Sequence, residues 1–157
     1  MNGGPIGGVK QAGNWKIDAR FNKSELLRRC QKVAEYHDRI HVSSLDGIEF
    51  IESLDAESTL FFIDPPYFVK GPMLYMNALN DEYHEALAAR LREMTNAAWV
   101  LTYDDCPEIR RMYRDWATIR PFSLNYSAAQ RRVGNELLIS PTWIRLPTSQ
   151  GSAAVTW

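Results

Sequence analysis

The chain has 157 residues, 45% hydrophobic and 24% charged, with a net charge of −1, a composition suited to one globular domain with a single core. No apolar run approaches the ~20 residues that a membrane helix needs, and the opening MNGGPIGGVKQAGNWK lacks the apolar core of a secretory signal. Cys30 and Cys106 are too few and too far apart for a disulfide framework or a zinc site, so the expectation is a reducing cytoplasm, with no membrane partner and no metal.

Charge is unevenly spread. Residues 1–45 carry eight Lys/Arg against four Asp/Glu, residues 46–67 six acids and no base, and residues 107–145 seven arginines against three acids. An acidic centre between basic flanks suits a cationic small molecule held beside a polyanion; solvated helix faces that happen to cluster give the same counts.

Residues 1–13 hold five glycines without periodicity and read as a flexible segment. RFNKSELLRRCQKVAEYH then reads as a helix capped by Asn22, with Glu25 three residues on and a stripe of Leu26, Leu27, Cys30, Val33 and Ala34. RIHVSS is expected to be a short strand and DGIEFIESL a short helix. TLFFI, a continuous apolar run between breakers, reads as a strand buried on both faces of a parallel sheet. Residues 68–79 form a loop. Asn80 caps the next helix, with Asp81 and Glu82 in its first turn and a stripe of Tyr83, Leu87, Leu91 and Met94. AWVLTY is a second buried strand, and PEIRRMYRDW opens a helix with proline at its first position. ATIRPFSL and NELLIS are strands joined by too short a loop for a crossover, so they pair antiparallel. Residues 147–157 read as a loose tail. Alternating strands and helices make this an α/β fold.

Chemistry concentrates at Asp64-Pro65-Pro66-Tyr67, directly after the first apolar strand. Ligands of open α/β sheets bind beyond the carboxyl ends of strands. Two prolines lack N–H groups and force a stiff extended path, which presents a carboxylate, backbone carbonyls and an aromatic ring together. This set suits a planar exocyclic amine. Acceptors on the N–H groups of such an amine orient it and localise its lone pair toward an electrophile. A fixed carboxylate then stabilises the positive charge that develops on nitrogen. An aspartate carboxylate is too weak a base to remove the proton before attack. Tyr67 can stack on a base removed from its duplex, with its ring face carrying the contact.

DPPY behind an apolar strand resembles the catalytic motif of amino-methyltransferases that use S-adenosylmethionine. The wider chain is similar to the adenine-specific DNA methyltransferases of the Dam-like D12 class, through IGGVKQAGNWKIDARFNK, LYMNALNDEYHEALAARL, LTYDD and RRVGNELLISP. The resemblance implies a Rossmann-like sheet with its last strand inserted antiparallel, S-adenosylmethionine as cofactor and double-stranded DNA as substrate. By the same resemblance Asp64, Pro65, Pro66 and Tyr67 are catalytic, and Asp64 lies near the methionine part of the cofactor. Asp46 is the acceptor for the cofactor's adenine amine, or else only an acid at a helix N-terminus. Lys70, Tyr75, Arg131 and Arg132 fit DNA contacts, or an ordinary solvated surface.

One departure stands out. The family's Phe-x-Gly-x-Gly turn after an initial strand has no counterpart, because NGGPIGGVKQAG has no strand before it and no phenylalanine. The acid that would hold the ribose and the DNA-recognition segment are missing too. Residues 14–146 therefore look like part of a methyltransferase domain lacking its first strands, as a gene fragment, a decayed relative, or one chain of a split enzyme whose separate N-terminal or recognition subunit completes it. The expected function is adenine-N6 methylation of DNA. The alternatives are a non-catalytic remnant or subunit that binds DNA or a partner chain, and a methyltransferase for another planar amine.

Overall fold

The computed structural model describes residues 7–19, 21–74, 79–126 and 132–146, with the backbone alone at 73–74, 124–126 and 132–133. Two compact units result, residues 1–44 and 45–157. The expected tail at 147–157 lies outside the described residues.

In the first unit, residues 7–13 make a tight turn. Gly7 and Gly8 have φ of 86° and 75°, and a Cβ on Gly7 would lie 2.5 Å from the Trp15 carbonyl oxygen. Only glycine fits there. Helix α1 (Lys23–Ala34) starts as expected, with Asn22 Oδ1 accepting the Glu25 N–H at 3.0 Å. The Glu25 carboxylate turns forward to Arg28 and Arg29, and these two guanidiniums, Arg28 first, hold its pKa down at about 2. RIHVSS is not a strand. One 3-10 turn covers His37–Arg39 and residues 40–44 follow without a ladder. A strand forms only where a neighbouring strand takes up its N–H and C=O groups, and the sheet among the described residues does not include this segment.

The second unit is a four-stranded sheet with helices. Helix α2 (Gly47–Ser53) leads into β1 (Leu60–Ile63), α3 (Gly71–Leu74) and α4 (Asp81–Glu93). Strand β2 (Ala98–Asp104), α5 (Pro107–Tyr113), β3 (Ala117–Tyr126) and β4 (Arg132–Pro141) follow. The order across the sheet is β1-β2-β4-β3. Strands β1 and β2 are parallel, with Ile63 opposite Leu101, whereas β4 runs antiparallel to both β2 and β3 and lies between them. The antiparallel pair read from the sequence is present, and Pro121 is accommodated because β3 is an edge strand. Within the expected loop at 68–79, residues 71–74 close one helical turn.

Alternation puts Phe61, Trp99, Leu101, Tyr103, Leu137 and Ile139 on one face of the sheet. They form one core with Ile51 of α2, Leu87, Ala88 and Leu91 of α4, and Ile109 and Tyr113 of α5. Each fully buried side chain of this size contributes roughly 1.5–3 kcal/mol. The expectation that β1 is buried on both faces fails. Leu60 and Phe62 are 67% and 72% exposed, because β1 is an edge strand whose helices cover only the opposite face. Its apolar composition matches a central strand, but its surroundings do not.

Candidate active site at the ends of the parallel strands

The parallel register sets Asp64 and Thr102 side by side, each one residue beyond the Ile63–Leu101 pair. The Thr102 hydroxyl donates to Asp64 Oδ1 at 2.6 Å. Asp64 itself is exposed, so the carboxylate is oriented from behind by a buried residue and presented outward. Pro65 and Pro66 carry the chain away from the strand, and the Gly71 N–H closes a turn on the Tyr67 carbonyl at 2.7 Å. Gly71 lies against Pro66, where an added Cβ would sit 3.4 Å from the Pro66 carbonyl carbon.

Two further acids reach the same segment. Asp104, 4% exposed at the end of β2, accepts three successive backbone N–H groups. Phe68 N–H donates to Oδ1 at 3.0 Å, and Val69 and Lys70 N–H donate to Oδ2 at 2.8 and 3.2 Å. Glu136, 2% exposed on β4 and directly opposite Asp104, accepts the Tyr67 hydroxyl at 2.9 Å. Burial first, then this bond, push the Tyr67 pKa far above the ordinary phenol range. The Tyr67 hydroxyl is therefore held in the fold in addition to the ring. Its ring lies 6.2 Å from Tyr103, which packs in turn on Tyr113 and on His84.

The other predicted residues are placed as follows. Asp46 caps α2, with Oδ1 accepting the Ile48 N–H at 2.9 Å and Oδ2 accepting the Tyr83 hydroxyl at 2.9 Å. The Tyr83 bond, then the backbone N–H groups, lower its pKa. The structural role for Asp46 is therefore present, and each oxygen keeps further lone-pair capacity. Lys70 reaches inward, its Nζ 3.6 Å from Glu136 Oε1 and 5.4 Å from the Tyr67 ring centroid. Tyr75 and Arg131 lie outside the described residues, and of Arg132 only the backbone is described, in β4.

Sequence reading assigned no role to Thr102, Asp104 or Glu136. The available signal was a polar residue at the end of an apolar strand in LTYDD, and an acid beside the apolar run in NELLIS. By strand alternation Thr102, Asp104 and Glu136 are set off from the core residues Leu101, Tyr103 and Leu137, and all three bond to the segment 64–70.

The family model described as D12 class N6 adenine-specific DNA methyltransferase matches residues 9–133. None of the curated proteins compared with the chain matches it.

Proposed function

Because the chain belongs to the D12 class of N6 adenine-specific DNA methyltransferases, we propose that it carries the methyl-acceptor half of such an enzyme's site. In this reading it acts on an adenine flipped out of double-stranded DNA. The observation that carries this is the outward Asp64 carboxylate, oriented by Thr102 and followed by the stiff Pro65-Pro66-Tyr67 arm. S-adenosylmethionine, when bound, supplies an electrophilic methyl on a sulfonium. Asp64 accepts one N6–H of the adenine and a backbone carbonyl of the proline arm accepts the other, which turns the nitrogen lone pair outward. As the N–C bond formed and the sulfonium's methyl–sulfur bond broke to leave a neutral thioether, the Asp64 charge would stabilise the cationic nitrogen, which would then lose a proton to solvent. Tyr67 provides the stacking surface. Asp64 and Asp46 fit the cationic methionine end and the adenine amine of the cofactor respectively.

The domain in this reading is a partial Rossmann-like methyltransferase sheet over residues 14–146, working in the cytoplasm. Among the described residues no helix is long and apolar enough to cross a membrane. A separate N-terminal or recognition subunit would complete it, and the exposed Leu60 and Phe62 on edge strand β1 support that reading. Lys70, Tyr75, Arg131 and Arg132 are its proposed DNA contacts.

The test is methyl transfer to adenine in duplex DNA after adding the N-terminal portion of a related D12 enzyme in trans. Activity is expected, with Asp64→Ala reducing it below about 1% while leaving folding intact, a loss of ~3 kcal/mol or more of transition-state stabilisation. Activity that survives Asp64→Ala would remove the carboxylate from its role. Absence of activity in every assembly would favour a non-catalytic subunit.

A further inference from the structure

The pairing of Asp104 with Glu136 has no obvious purpose within the sheet. These are two acids directly opposite each other on neighbouring antiparallel strands, 4% and 2% exposed. Like charges in that relation are unfavourable, and buried carboxylates need donors. A sheet built only for stability would place apolar residues at both positions. Here most of the donors described come from one stretch of four residues. The Tyr67 hydroxyl and the Lys70 ammonium turn to Glu136, while the backbone N–H groups of Phe68, Val69 and Lys70 turn to Asp104.

We infer that Asp104 and Glu136 are positioning residues for the catalytic segment, Asp104 fixing the backbone path of residues 68–70 and Glu136 fixing the Tyr67 ring through its hydroxyl. This rests on the methyltransferase reading of Asp64–Tyr67. The two acids act at opposite ends of one lever. Three N–H groups converging on a single carboxylate hold a loop that lacks regular structure of its own. The hydroxyl bond sets the rotation of a ring that is otherwise held by packing on the core, by a tilted contact with Tyr103 at 6.2 Å and by the Lys70 ammonium 5.4 Å from its centroid. Neither carboxylate need touch the substrate. In this chain, tyrosine at position 67 is then required for its hydroxyl as well as its face.

The experiment has two arms on the full chain. In the first, hydrogen exchange is followed by mass spectrometry for the peptide spanning 67–72 and for peptides in β2 and β4. Asp104→Asn keeps the size but offers an amide, with a donor group of its own, where three N–H groups converge. At least a ten-fold acceleration confined to 67–72 is expected. Unchanged exchange there, or equal acceleration throughout the sheet, would overturn the positioning role for Asp104. In the second arm, methylation by the complemented assembly is measured. Glu136→Leu and Tyr67→Phe should each lower kcat about ten-fold with KM for DNA within about two-fold, and the double variant should be no worse than either alone. Glu136→Gln, which still accepts the hydroxyl, should recover most of kcat. Additive losses, or a change carried by KM, would overturn the role of Glu136. If the wild-type assembly does not methylate, the methyltransferase reading fails. In that case exchange of peptide 67–72 in Glu136→Leu and Glu136→Gln decides the positioning claim: faster exchange in Leu alone supports it, and equal exchange overturns it.

Discussion

At the scale of single residues, the candidate site depends on which atoms are held and which are presented. Thr102 is buried and its hydroxyl holds Asp64 Oδ1, whereas Asp64 is exposed to solvent. Removing the hydroxyl should therefore disturb orientation more than stability. Thr102→Val is expected to lower methylation by the complemented assembly about ten-fold, because near-attack geometry is sensitive to small displacements. Unfolding free energy should change by less than ~1 kcal/mol, since water can replace the lost donor at an exposed carboxylate. Denaturant titration beside single-turnover kinetics separates the two, and a stability loss larger than the activity loss would make Thr102 a folding residue.

Among the elements, two side chains tie the helices to the sheet. Asp55, in the turn between α2 and β1, accepts the Ala97 N–H at 3.1 Å and pairs with Arg90 of α4 at 3.2 Å. Ala97 is fully buried, so Asp55→Ala should leave its N–H without an acceptor and cost ~2 kcal/mol in urea unfolding. A change under ~0.5 kcal/mol would mean that the turn relaxes to find another partner. His84 of α4 is 2% exposed, with Nδ1 2.6 Å from the Tyr103 hydroxyl. Burial lowers its pKa, against the opposing pull of Asp81 and Asp104. The unfolded chain thus binds the proton more readily than the native one. Its contribution is complete above the unfolded value of about 6.5 and is lost as pH falls from there through the lower native pKa. Stability should drop from pH 7 to pH 5 with a slope of at most ~1.4 kcal/mol per pH unit from this group, and His84→Gln should remove that part of the slope. An unchanged slope in the variant would assign the acid sensitivity elsewhere.

For the molecule as a whole, the decisive feature is the sheet edge. Among the described residues strand β1 pairs with β2 alone, and its own Leu60 and Phe62 are 67% and 72% exposed. An exposed apolar edge strand is a template for association. The chain alone should self-associate at micromolar concentration and bind S-adenosylmethionine weakly or undetectably. A complementing N-terminal portion should raise solubility and cofactor affinity together. Light scattering and calorimetry on the same samples check both. A monodisperse monomer with micromolar cofactor affinity would show that the site needs no second chain.

Local chemistry determined what could be read along the chain. Asn22 and Asn80 cap helices because their side chains reach N–H groups three residues on, and a loop too short for a crossover forces β3 and β4 antiparallel. The Asp64–Tyr67 motif was legible for the same reason, since prolines dictate their own backbone and the motif is contiguous. Tertiary structure alone decided the rest. Glu136 meets Tyr67 across 69 positions, and Asp104 meets Phe68 across 36, distances at which no periodicity carries information. RIHVSS and TLFFI have strand composition, yet pairing and cover belong to the neighbours. Among the described residues the first therefore forms no ladder, and the second pairs on one side with half its apolar residues uncovered.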